Sequence, residues 1–183
     1  MFFLFFVSVT LSKWHLNFVY GINNCYDLFL KLHREGEKVG ENWHPYDCFN
    51  FFVSAWHLYD DWIPKDKNRP KLALEKIGHT AQPMKNLLLA IKDLTNGSKH
   101  MILKPNNFKK TVITGVYSHI IGDWRAYFMN EPQLYIAVGE TYYSMWDIRC
   151  LIINYFTWIF DDSLPVNHFP KEIEKHLESC LLP

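Results

Sequence analysis

The chain lacks an excess of charge of either sign. Its 19 Lys and Arg balance 19 Asp and Glu, so no general field draws it to nucleic acid or to an anionic membrane surface. An anionic substrate would need a local basic pocket. Cysteine is sparse as well. Cys25, Cys48, Cys150 and Cys180 form no C-x-x-C pair and no tight cluster with histidine, which argues against a zinc-ribbon or disulfide framework. They read as reduced core thiols in a cytoplasmic protein. The longest apolar run, Phe2 to Leu11, is too short to span a bilayer. It also lacks the basic leader and small-residue cleavage site of a signal peptide. Residues 1–22 are therefore expected to pack on the domain, or Met1 to Leu11 to reflect a start assigned too far upstream, and no membrane partner is expected.

Signature motifs are missing too. There is no G-x-S-x-G, no G-x-x-x-x-G-K-[ST] and no G-x-G-x-x-G, which argues against α/β hydrolases and nucleotide-binding folds. No internal repeat or low-complexity stretch occurs, so solenoids and propellers are unsupported.

What is present is apolar and aromatic. Hydrophobic residues make up 49% of the 183 and aromatics 17%, enough for one domain packed around large rings. Residues 23–183 are read as that single domain. A helix is expected from Asn23 to Lys38, with Tyr26, Phe29, Leu30 and His33 as its apolar stripe and Gly40 helping to end it. A second opens at Trp43-His44-Pro45, runs to about Ile63 and stops at Pro64. A short helix is expected near Leu72 to Ile77. A third long helix begins at Pro83 and carries Met84, Leu87, Leu88, Ile91 and Leu94. The β-branched stretch TVITGVYSHIIGDW reads as a strand, and LYIAVGETYY as a hairpin turning at Gly139-Glu140. Ser144 and Asp147 form a capping-box pattern. Ile148, Leu151, Ile152, Tyr155 and Ile159 then follow at helical spacing, and a last helix runs from Pro170 to about Leu181. The expected fold class is mostly α: a single-domain helical bundle with a small antiparallel hairpin or sheet near 112–143, inserted before the penultimate helix.

Two polar insertions interrupt the apolar helices. Asn50, Ser54, His57 and Asp61 are spaced by four, three and four residues, one line down the second helix. Phe49, Val53, Trp56 and Ile63 supply its neighbouring apolar face. Asp93, Asn96 and His100 make a similar line on the third helix if that helix survives Gly97, with Lys92 and Lys99 on a nearby edge. Packed together, the two lines would form one polar pocket. Histidine is the usual general acid or base at neutral pH, a carboxylate orients it, and lysine with asparagine can hold a phosphate or oxyanion. The inventory suits metal-independent cleavage of a phosphodiester. The catalytic candidates are His100, His57 and Lys99; the substrate-binding candidates are Asn96, Asp61, Asp93 and Asn50. No cofactor and no metal are expected there. Each residue also has a structural reading: His57 as a core histidine bonded to Asp61, Asn96-Gly97-Ser98 as a helix stop, Lys99 as a solvated charge. A zinc site built from His57, Asp61 and His100 is a third reading, and would make the protein a metal-dependent hydrolase.

Taken together, FNFFVSAWHLYDDW, KDLTNGSKH, the hairpin and the closing helix resemble small bacterial helical proteins of the HEPN superfamily, over roughly Asn23 to Phe160. The resemblance implies a helical-bundle domain, often dimeric, and in many members a metal-independent ribonuclease of toxin–antitoxin or antiphage systems. It implies RNA, a second copy of the chain, or an antitoxin as partner. Carried over, the family's histidine is His100, with Asn96 and Lys99 as polar neighbours. The family's arginine precedes that histidine by a gap of four to six residues. Those positions hold Asp93, Leu94 and Thr95 here; Lys92 lies one residue farther and cannot copy the arginine fork. The site is then either rebuilt around Lys99 and His57, or the domain is a non-catalytic binding or dimerisation module with a polar ligand pocket.

Overall fold

The computed structural model describes residues 21–41, 44–99, 113–117 and 135–180. Among these residues the chain is mostly helical, with a three-stranded antiparallel sheet. Helix α1 spans Cys25–Glu41, α2 Pro45–His57, α3 Ala73–Gly78 and α4 Gln82–Lys99. Strands β1 (Ile113–Tyr117), β2 (Tyr135–Val138) and β3 (Thr141–Ser144) follow, then α5 (Met145–Phe160) and α6 (Lys171–Ser179). The sheet order is β1-β2-β3, so the hairpin expected at Gly139-Glu140 is present, with Val138 opposite Thr141 and Gly139 at φ 64°. Glycine takes that left-handed backbone position without the strain that a side chain brings there.

Helix α5 is the hub. Ile148, Leu151, Ile152, Tyr155, Phe156 and Ile159 are fully buried on it, and it packs against α1, α3, α6 and β3. Its start is fixed by the expected capping box: Ser144 Oγ accepts from the Asp147 amide, and the Asp147 carboxylate accepts from the Ser144 amide. Its end is held by Lys76 of α3, which is fully buried. Lys76 Nζ donates to the carbonyls of Trp158 at 2.8 Å and Asp161 at 2.6 Å, and sits 5.6 Å from the Trp158 ring centroid. These are the orphan acceptors at the negative end of a helix dipole. The two flanking loops are tied as well, since the Asp162 carboxylate accepts from the amides of Lys71 and Leu72. One turn on, Thr80 Oγ1 shares a 3.0 Å hydrogen bond with the buried Tyr155 hydroxyl.

The stripe of α1 differs from the expected one. Cys25, Leu28, Phe29, Leu32 and Val39 are buried, whereas Tyr26 and Leu30 are exposed. Gly40 lies in the last turn of the helix, whose last described residue is Glu41. A Cβ on Gly40 would lie 2.8 Å from Arg149 Cζ, and one on Gly36 3.1 Å from Ile153 Cδ1. Gly36 lets the Ile153 side chain of α5 pack close, while Gly40 faces the movable end of Arg149, and Arg149 Nε donates to the Gly36 carbonyl at 2.5 Å.

Pro64 does not stop the second helical stretch. Leu58–Trp62 form a π-helical turn, and Ile63–Lys65 add one more helical turn. The Ile63 amide reaches Leu58 O, one residue beyond the α-helical acceptor. A widened turn needs no donor from proline and relieves its ring clash.

Replacing Lys76 with Met should cost about 1–3 kcal/mol in urea denaturation, because two helix-end carbonyls lose a charged donor; an unchanged midpoint would show the clamp is neutral. Alkaline pH should destabilise the fold. Burial pushes the Cys25 thiol from 9.0 up to about 12, with its hydrogen bond to Asp66 adding to this, and burial pushes Cys48 from 9.0 to about 11. Burial raises Tyr143 from 10.0 to about 12. Raised folded values mean that this stability is complete below pH 9 and is lost as pH climbs toward 12. Burial lowers Lys76 from its ordinary value and acts with the opposite sign, but as one group against three. Thermal midpoints measured across pH 8–11 should therefore fall.

Candidate functional site

The two polar lines lie on helices that pack against each other, α2 and α4. Helix α4 continues through Gly97 and is described as far as Lys99. Lys92 Nζ sits 5.6 Å from the ring centroid of Trp56, the residue before His57. Lys92, Asn96 and Lys99 are spaced by four and three residues and share one edge of α4. The edge that meets Trp56 is therefore the one carrying Asn96 and the Lys99 position. Asp93 and Asn96 are half-buried, as is His57. His100 lies outside the described residues, and the side chain of Lys99 is not among those described.

The line on α2 is less uniform than its spacing implies. Its core face carries Cys48, Phe51, Phe52, Ala55 and Trp56; of the expected apolar face Trp56 and Ile63 are buried, while Phe49 and Val53 are only half-buried. Asn50 is exposed and Ser54 is buried. Ser54 Oγ accepts from Lys31 Nζ of α1 at 2.6 Å, and the same ammonium pairs with Glu35 at 2.5 Å. Asp61 falls in the π-turn, whose wider winding rotates it off the straight line. Its carboxylate pairs with Lys65 one turn on, both side chains well exposed. Of the α2 line, His57 is thus the residue next to the Trp56–Lys92 contact, while Asn50 and Asp61 lie toward solvent. No sequence period could disclose the π-turn, because the residue types around Leu58 fit an α-helix equally well.

A second polar cluster joins α5 to α6. His176 Nε2 lies 3.0 Å from Asp147 Oδ1. Cys180 sits one turn beyond His176, and one ligand atom from each of Asp147, His176 and Cys180 lies within 4.8 Å of the others. Among the described residues this is the grouping of three His, Cys, Asp or Glu side chains that could hold a metal ion. The sequence marked Asp147 as part of a cap and Cys180 as a core thiol, and gave His176 no role. The signal that could have found them was the four-residue spacing of His176 and Cys180 on a helix. Next to this cluster, Tyr143 lines a cavity of about 190 Å³ together with Ala81, Pro83, Thr141, Glu174 and Leu177.

No family model, curated protein or solved structure matches the chain. Among the described residues no helix is long and apolar enough to cross a membrane.

The two halves of the α2 line should respond differently to truncation. Ser54→Ala should cost about 1–2 kcal/mol, since a part-buried ammonium loses a partner. Asp61→Ala should shift stability by less than about 0.5 kcal/mol, as exposed ion pairs do. Chemical denaturation of both variants checks this; a large loss at Asp61 would make that residue structural.

Proposed function

We propose that the seam between α2 and α4 is the working site of a HEPN-like domain that cleaves RNA without a metal ion, in a toxin–antitoxin or antiphage setting. The observation that carries this reading is the continuity of α4 through Gly97 while it packs on the helix bearing His57. That continuity puts Asn96 and the Lys99 position on the edge that Lys92 extends toward Trp56. A phosphodiester lying along this edge would meet two lysine positions, which replace the missing arginine as point charges rather than as a fork. His100, directly after Lys99 in sequence, and His57 would share the acid and base roles on the ribose 2′-hydroxyl and the leaving oxygen. Asp93 would orient a histidine ring. Asn96 and Asn50 would contact substrate, with Asp61 at the solvent end. A second copy of the chain or an antitoxin would be the protein partner.

A non-catalytic binding module is the second reading, and a specific observation favours it: Ser54 and Asp61 already hold lysine partners. At least half of the α2 line is then occupied by contacts within the fold. The zinc reading for His57, Asp61 and His100 is weakened by the same Asp61–Lys65 pair.

The test is cleavage of a mixed RNA pool with excess chelator, comparing wild type with His100→Ala and Lys99→Ala, each checked for folding by circular dichroism. The expected result is cleavage by wild type, a loss of about 100-fold or more for His100→Ala and a smaller loss for Lys99→Ala. Absence of cleavage by folded wild type would leave the binding module as the reading; cleavage that the chelator abolishes would favour the metal-dependent hydrolase.

A further inference from the structure

We propose that Asp147, His176 and Cys180 form a binding site for zinc or a similar divalent cation, distinct from the α2–α4 seam. Carboxylate, imidazole and thiolate are each ligands that zinc accepts, and three protein ligands leave one tetrahedral position for water or a further donor. The three ligand atoms come from two elements whose placement does not depend on a metal. Asp147 is fixed on the first turn of α5 by the capping box with Ser144. His176 and Cys180 are one turn apart at the end of α6, and that helix is anchored by buried Ile173 and Leu177. Such preorganisation is what a metal site requires of its scaffold.

The distances fit with small adjustments. Tetrahedral zinc with oxygen, nitrogen and sulfur ligands separates the ligand atoms by about 3.4–3.6 Å. The Asp147–His176 contact of 3.0 Å would open slightly, and the remaining separations, all within 4.8 Å, would close. Cys180 Sγ, which now lies 3.3 Å from the His176 carbonyl, would turn to the metal and release its proton to solvent. The other Asp147 oxygen keeps its bonds to Ser144 and acts as the outer support that orients a ligating carboxylate.

The seam reading and this site share no residues, so chelator-resistant RNA cleavage and metal binding at α5–α6 can hold together, and either can fail alone. The experiment is titration of the full metal-free chain with Co²⁺, followed by competition with Zn²⁺. We expect one equivalent to bind, with a thiolate-to-cobalt charge-transfer band in the near ultraviolet that Zn²⁺ displaces. The thermal midpoint should rise by about 5–10 °C when free metal exceeds Kd a hundredfold. Cys180→Ser should remove the band and weaken binding at least tenfold, and His176→Gln should weaken it at least tenfold, with both variants folded by circular dichroism in the absence of metal. If Cys180→Ser does not fold, His176→Gln carries the test. Failure of wild type to bind, or a band that persists in Cys180→Ser, would overturn the site.

Discussion

The rest of the structure depends on one buried ammonium. Lys76 is enclosed by the core and spends its charge on two carbonyls at the end of α5. Burying a cation is costly, and burial pulls Lys76 below its ordinary value. The cost is offset because the acceptors are already polarised by the helix and would otherwise lack donors. Through this contact α3 is pinned to α5. The Asp162 bonds to the amides of Lys71 and Leu72 secure the same junction from the other side, and the Thr80–Tyr155 bond secures its exit. Helix α4 departs two residues after Thr80. The start of α4 is therefore tied to this junction, while its length is held by packing on α2.

Much of this fold is legible in the sequence where apolar spacing is regular. Ile148, Leu151, Ile152, Tyr155 and Ile159 mark α5, and all five are fully buried. Met84, Leu87, Leu88 and Ile91 mark α4 in the same way. The glycine at the hairpin turn and the capping box are chemical signals, and both are present. The stripe of α1 was misread because Tyr26 and Leu30 are apolar yet exposed. Apolar type permits burial but does not require it. Gly40 sits where a helix-ending glycine is expected, and the Arg149 guanidinium over it is a neighbour that no local pattern could show.

The candidate site was legible in part. Periodicity put Asn96 and Lys99 on one helix, and the two polar helices do pack together. It could not foresee the π-turn that turns Asp61 aside, nor the Lys31 ammonium that takes Ser54. Both effects arise outside the local pattern, one from backbone hydrogen bonding and one from a helix 23 positions away. The Asp147–His176–Cys180 cluster escaped notice for the same cause. Its members lie 29 positions apart at the His176–Asp147 contact, and only the docking of α6 on α5 joins them.

The Lys76 clamp also has a consequence for synthesis. Its acceptors lie 82 and 85 positions farther along the chain, and Arg149 reaches back 113 positions to Gly36. Contacts this distant form late, since the loop between them must close first. On a translating ribosome α1 to α4 emerge before the hub that buries them exists. During that interval the faces of α1 and α3 that pack on α5 lack their partner, while α1 with α2 and α2 with α4 can already pack together. The nascent chain can settle its core only once Asp161 has cleared the exit tunnel.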